Sequence, residues 1–200
     1  MTSGNKRKRR WLRSELVQIG IIGLSMLVFR SSFADHYHVP TGSMEYTLMP
    51  GDRVVVDKTA YGLRVPFTTI DIAGAETPER GEIAVFDSPR DGKRLIKRIV
   101  AVGGDRVALI DGHLWINGQP LGDGEVEHFP DREARLNLDA GGGPDMGAVT
   151  VPAGQVLAIG DHRGNSLDGR FWGLISEREL FGRAIAIYYR RGDGFVWKPL

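Results

Sequence analysis

Beyond residue 35 the apolar residues of this chain come in runs of three to eight, and a turn signal closes each run. The runs lie at 53–57 (RVVVD), 82–86 (EIAVF), 95–102 (LIKRIVAV), 106–110 (RVALI), 114–116 (LWI), 155–159 (QVLAI) and 184–189 (AIAIYY). None extends into the 3.6-residue periodicity that a long amphipathic helix needs, so they read as strands. Twenty-seven glycines in 200 residues supply the turns that many short strands require. Asp111-Gly112 and Asn117-Gly118 predict a hairpin over 106–120 with a second turn following. Residues 121–148 are polar and include Gly141-Gly142-Gly143-Pro144, which reads as a surface excursion. The expected class is mainly β: antiparallel sheets forming a partly open, barrel-like domain over 35–200, with a small inserted β subdomain at about 105–153.

Hydrophobic residues make up 42% of the chain, enough for a sizeable core, and cysteine is absent. A disulfide framework, a thiol nucleophile and zinc sites built on cysteine are therefore excluded. The net charge of +1 conceals an asymmetry. Lys6, Arg7, Lys8, Arg9, Arg10 and Arg13 form a basic head, and the remainder is mildly acidic. That distribution argues against nucleic acid as a partner and fits a topology signal or an arm on anionic lipid.

Residues 16–29 (LVQIGIIGLSMLVF) carry no charge. As a helix they are about 21 Å long, against a hydrocarbon core of about 30 Å. Trp11, Leu12, Phe33 and Ala34 extend the apolar stretch, and Arg13 and Arg30 can snorkel. The leading expectation is a single transmembrane anchor at 14–34, behind a basic tail at 1–13. The tail would be cytoplasmic and the body outside the inner membrane. A cleaved signal peptide, with Ser32-Phe33-Ala34 as its small-x-small site, and a buried core helix are the alternatives.

Three segments carry candidate chemistry. In Pro40-Thr41-Gly42-Ser43-Met44, glycine lets the backbone turn beside a serine hydroxyl, although serine next to glycine is usually a turn residue. Lys97 lies in a strand whose alternation places it with Leu95, Ile99 and Ala101. It is either an exposed or snorkelling lysine, or a desolvated one poised as a base. Arg98 points to the other face and needs a partner if buried. The stretch Gly160-Asp161-His162-Arg163-Gly164-Asn165-Ser166-Leu167-Asp168-Gly169-Arg170 is dense in hydrogen-bonding groups. It is either an ordered turn or part of a site. Its acids are too sparse for a calcium loop. His36 and His38 lack a carboxylate partner, so neither a metal nor any other cofactor is expected.

In that order, after a basic-headed apolar segment, PTGSM, RLIKRIVAVGGD and GDHRGNSLDGRFWG closely resemble the bacterial type I signal peptidases. Tyr61-Gly62, RGEIAVF at 80–86, HLWINGQPL at 113–121 and LFGRAIAI at 180–187 extend the resemblance over essentially the whole chain. It implies a membrane-bound serine endopeptidase that removes signal peptides from exported preproteins after a small-x-small site. By that resemblance Ser43 is the nucleophile and Lys97 the general base. The Ser43 backbone N–H and the Thr41 hydroxyl form the oxyanion hole. Ser166 orients the amine, and Asp168 and Arg170 brace the site. Shallow pockets for small side chains fall to Tyr37, Val39, Pro40, Met44, Leu48, Val54, Val85 and Ile96. The lipid bilayer is the second implied partner, and Phe195, Val196 and Trp197 either touch its interface or pack ordinarily.

The chain departs from the family pattern at three places. Tyr46 stands where proline is usual, His162 replaces a common asparagine, and Gly169 replaces a common serine. His162 is read as a polar loop residue. Two further readings of function stay open: a specialised relative that processes one substrate, such as a conjugative pilin, and an anchored binding domain without activity.

Overall fold

The computed structural model describes residues 15, 17–23, 34–64, 71–73 and 76–200. The expected basic tail, most of the expected anchor and Ser32-Phe33 of the small-x-small site lie outside these residues. Residues 15 and 17–23 are helical. No helix among the described residues is long and apolar enough to cross a membrane. Ala34, placed in the anchor on sequence grounds, instead opens a strand and pairs with Asp57.

The main sheet has eight strands, all neighbours antiparallel. Seven run in the order β1 (Ala34–His38), β2 (Arg53–Asp57), β16 (Leu180–Arg190), β5 (Ile83–Asp87), β6 (Arg94–Val102), β14 (Gln155–Ile159) and β15 (Ile175–Ser176). The eighth, β17 (Gly194–Pro199), pairs with the end of β16. This path is open. Among the described residues it does not close on itself, so the barrel-like expectation reduces to a set of antiparallel sheets.

A four-stranded sheet orders β13 (Met146–Thr150), β7 (Arg106–Ile110), β8 (His113–Ile116) and β9 (Gln119–Pro120). Asp111 and Asn117 have φ of 49° and 53°, and the glycine after each is also positive, as two-residue hairpin turns require. A three-stranded sheet joins β10 (Gly122–Asp123), β11 (Val126–Phe129) and β12 (Arg132–Arg135). A short pair, β3 (Leu63–Arg64) and β4 (Asp71–Ala73), completes the set.

The 121–148 stretch is thus not merely a surface excursion. Phe129, Ala134 and Leu136 are buried. Phe129 and Ala134 share one core with Val107, Leu109 and Leu114 of the small sheet and with Val100, Leu157 and Ile159 of the main sheet. Burial of this apolar surface holds the two parts together. A second core packs Met44, Leu48, Val54, Val56, Ile83, Val85 and Ile187 beneath β1 and β2. A third packs Phe86, Ile99, Val156, Ile175 and Leu180.

Strand β6 runs between these cores, and residues 97–101 of it are buried on both faces. A register shift opposite Leu157 and Ala158 breaks the simple alternation. Ala101 therefore joins a different core from Leu95 and Ile99.

Candidate active site

Ser43 sits in the turn after β1. Turn hydrogen bonds from Glu45 N to Gly42 O and from Leu48 N to Met44 O wind this loop, and buried Met44 and Leu48 root it in the core. The loop carries Tyr46 at φ 73°. A proline is fixed near −65° and could not adopt that angle, so the loop takes a path the usual family residue would forbid. The Arg135 guanidinium lies 4.7 Å from the centroid of the Tyr46 ring.

Lys97, 3% exposed in the middle of β6, donates from Nζ to Ser43 Oγ at 2.5 Å. Burial pushes the amine down to about 8. The Asp168 and Asp161 carboxylates oppose that shift, and the Arg170 guanidinium adds to it. The Ser43 N–H has no acceptor among the described residues, and Thr41 is exposed two residues before it. A hydroxyl that can lose its proton thus sits beside a free N–H donor.

The loop after β14 closes over this pair. His162 N donates to Ser43 O at 3.2 Å. Gly160 approaches so closely that a Cβ there would overlap both Ser43 O and Ser166 Oγ. Ser166 is buried beside the site, but its hydroxyl makes no hydrogen bond. The expected contact with the amine is not formed; the hydroxyl lies instead beside the Asp168 carboxylate, which it helps to hold down. Asp168 accepts from Arg170 Nε and Nη2, each at 2.8 Å, and from Gly160 N at 3.1 Å. Burial alone would raise Asp168, but these partners outweigh it and hold its carboxyl below the usual range. Arg170 also reaches Gly142 O at 3.0 Å and Arg163 O at 2.7 Å, so the Asp168–Arg170 pair braces the glycine-rich segment against the loop.

The partner that Arg98 required is Asp161. The two meet through Nε–Oδ1 at 2.9 Å and Nη2–Oδ2 at 2.7 Å, both residues buried. Thr47 Oγ1 donates to the same carboxylate at 2.5 Å, which ties the serine loop to it. A second buried pair, Arg163–Glu127, bonds through Nη1–Oε1 at 2.9 Å and Nη2–Oε2 at 2.6 Å. Sequence reasoning assigned no role to Asp161, Arg163, Glu127 or Gly160. Only Arg98, as an unpartnered cation on an apolar strand, signalled that such a pair had to exist.

Five of the eight expected pocket residues, Tyr37, Val39, Pro40, Val85 and Ile96, line one cleft of about 90 Å³ together with His38, Arg94 and Leu95. Met44, Leu48 and Val54 do not line it. They are fully buried in the core below, where they form its support. Neither His36 nor His38 belongs to a cluster able to hold a metal, and no such cluster occurs among the described residues.

The family profile described as "Signal peptidase, peptidase S26" matches residues 9–189. The chain is similar to signal peptidase I of Pseudomonas aeruginosa, at 30% identity over 196 residues, covering 82% of this chain and 67% of that protein. It is similar to a probable signal peptidase I-2 of Synechocystis, at 31% over 186 residues, 90% of this chain and 73% of that one. A signal peptidase I of Leptolyngbya laminosa is 31% identical over 182 residues, 86% and 78% of the two chains. A crystal structure of a signal peptidase I from Enterococcus faecalis aligns with a TM-score of 0.40 and 29% identity, over 55% of this chain and 98% of that one.

Proposed function

On the premise that this chain belongs to the signal peptidases of peptidase family S26, we propose that it removes signal peptides from preproteins with Ser43 as nucleophile and Lys97 as general base. The observation that carries the assignment of roles is the contact between the buried Lys97 amine and the Ser43 hydroxyl. Neutral Lys97 takes the Ser43 proton as Oγ attacks the scissile carbonyl. The Ser43 N–H and the Thr41 hydroxyl receive the oxyanion. Lys97 then returns the proton to the departing amine, and water, deprotonated by the same amine, releases the acyl group. The cleft bounded by Tyr37, Val39 and Val85 takes the small side chains that precede the cut, presented by an extended peptide.

The membrane context is part of the same proposal. The charge-free run 16–29 anchors the chain, its basic head cytoplasmic and its peptidase body outside. On β17, Phe195 and Trp197 are 86% and 66% exposed, which suits the interfacial depth where such a substrate lies.

The test is cleavage of a detergent-solubilised preprotein, with the product N-terminus sequenced. The parent is expected to cut after a small-x-small site, and Ser43→Ala and Lys97→Ala to abolish the cut. Thr41→Val should lose about 10²–10³ in rate, and Thr41→Ser should lose little. A folded Lys97→Ala that still cleaves would place the base elsewhere. A parent that cuts only one preprotein of a panel would narrow the function to a single substrate.

A further inference from the structure

His162 is 5% exposed and lies between two carboxylates from different parts of the chain. Its Nδ1 is 2.9 Å from Glu45 Oε2, in the serine loop, and its Nε2 is 2.9 Å from Asp139 Oδ1, in the segment after β12. Neither nitrogen meets hydrogen-bond geometry, so each contact becomes an ion pair only when the ring carries its second proton. The backbone adds to the junction. His162 N bonds Ser43 O, Asn137 N bonds Asp161 O, and Arg163 N bonds Asn137 O. Asn137 Nδ2 also donates to Glu45 Oε2 at 3.1 Å.

A neutral imidazole carries one N–H and can serve only one of two acceptor-only carboxylates. The other carboxylate then faces a lone pair. Only the imidazolium satisfies both. The remaining charges near the ring are engaged elsewhere, Asp161 with Arg98 and Arg163 with Glu127.

We infer that His162 is a positioning residue whose second ring proton ties the Ser43 loop, through Glu45, to the 137–139 segment, and so makes placement of the nucleophile depend on pH separately from Lys97. Asparagine at this position would offer one fixed donor group and no change of charge. His162 touches no reacting atom; it acts through Glu45 and the Ser43 carbonyl. The inference rests on the assignment of Ser43 as nucleophile.

The experiment has two arms, both on the full chain in detergent. In the first, spectra of uniformly ¹⁵N-labelled Ser43→Ala follow the His162 ring nitrogens and the backbone amides from pH 5 to 9, assigned against His162→Asn. Loss of the second ring proton should shift the amides of residues 42–48 and 137–139 together. The transition should move to lower pH in Glu45→Gln and in Asp139→Asn, since each carboxylate favours the charged ring. In the second arm, the ratio of parent to His162→Asn kcat/KM should fall about two- to tenfold as pH rises over the same range, while Lys97 acts alike in both.

A His162 ring that titrates without moving those amides, or a ratio flat with pH in a folded variant, overturns the inference. A parent that cleaves no preprotein overturns the functional reading instead, and the first arm still decides the tie.

Discussion

In the proposed mechanism Lys97, a cation in the unfolded chain, works as a neutral amine. At an ordinary pKa near 10.4, neutralising it at pH 7.4 would cost about 4 kcal/mol. With the amine held at about 8, the cost falls to about 1 kcal/mol and roughly one molecule in five is ready to accept a proton. Two consequences follow at this scale. The kcat/KM of the His162→Asn variant should rise about tenfold per pH unit below 8 and level off above it, as read from initial rates between pH 6 and 10. Between about pH 8 and 10.5 the unfolded chain keeps a proton on this amine that the folded chain has released. Folded-state stability should therefore rise with pH through that window and do so less in Lys97→Met, measured by denaturant titration of both. The pairing of Ser43 with Lys97 was legible in the sequence because each stands in a compact motif. The fate of the Ser166 hydroxyl was not, because hydrogen-bond direction depends on rotamers that spacing does not encode. Met44, Leu48 and Val54 lie beneath the cleft; an apolar residue near a pocket can line it or support it, and both look alike in one dimension.

At the scale of elements, the loop 160–170 does most of the assembling. It follows a buried strand, delivers a backbone N–H to Ser43 O, and carries the Asp168–Arg170 pair. Its closeness depends on a bare Cα at Gly160. Gly160→Ala should lower kcat/KM by about 10² or more through displacement of the serine loop. Adding Ser166→Ala should not restore the rate, because the Ser43 carbonyl remains in the way. Preprotein cleavage rates of the single and double variants check this. The long apolar strands β2, β6, β7 and β14 were plain in the sequence, since their runs are rich in valine, isoleucine and leucine. Strands β10 to β12 were not, because they are short, polar and held by pairing with neighbours more than by their own propensity. The N-terminal strand β1 was obscured by the apolar segment that runs into it.

Across the whole molecule, the small sheets are fastened to the main sheet by apolar burial and by one buried ion pair. Arg163 and Glu127 are almost wholly enclosed, and Arg163 Nη1 also donates to Gly112 O at 2.5 Å. Arg163→Met leaves a buried carboxylate without a cation and should cost about 3–5 kcal/mol. The double replacement Arg163→Met with Glu127→Leu should recover most of that loss, as urea titration of both variants would read. Glu127 lies in a stretch that read as a surface excursion in the sequence.

The two reacting groups are 54 positions apart, yet the loop that fixes them arrives only after residue 159, and strand β16 closes the sheet later still. During synthesis the chain therefore delivers its hydroxyl and its amine long before it delivers the walls that strip water from them. Until residues 160–190 have left the ribosome, Lys97 stays hydrated and charged. A half-made protease is consequently inert towards itself and its neighbours, and competence switches on as a final act of folding.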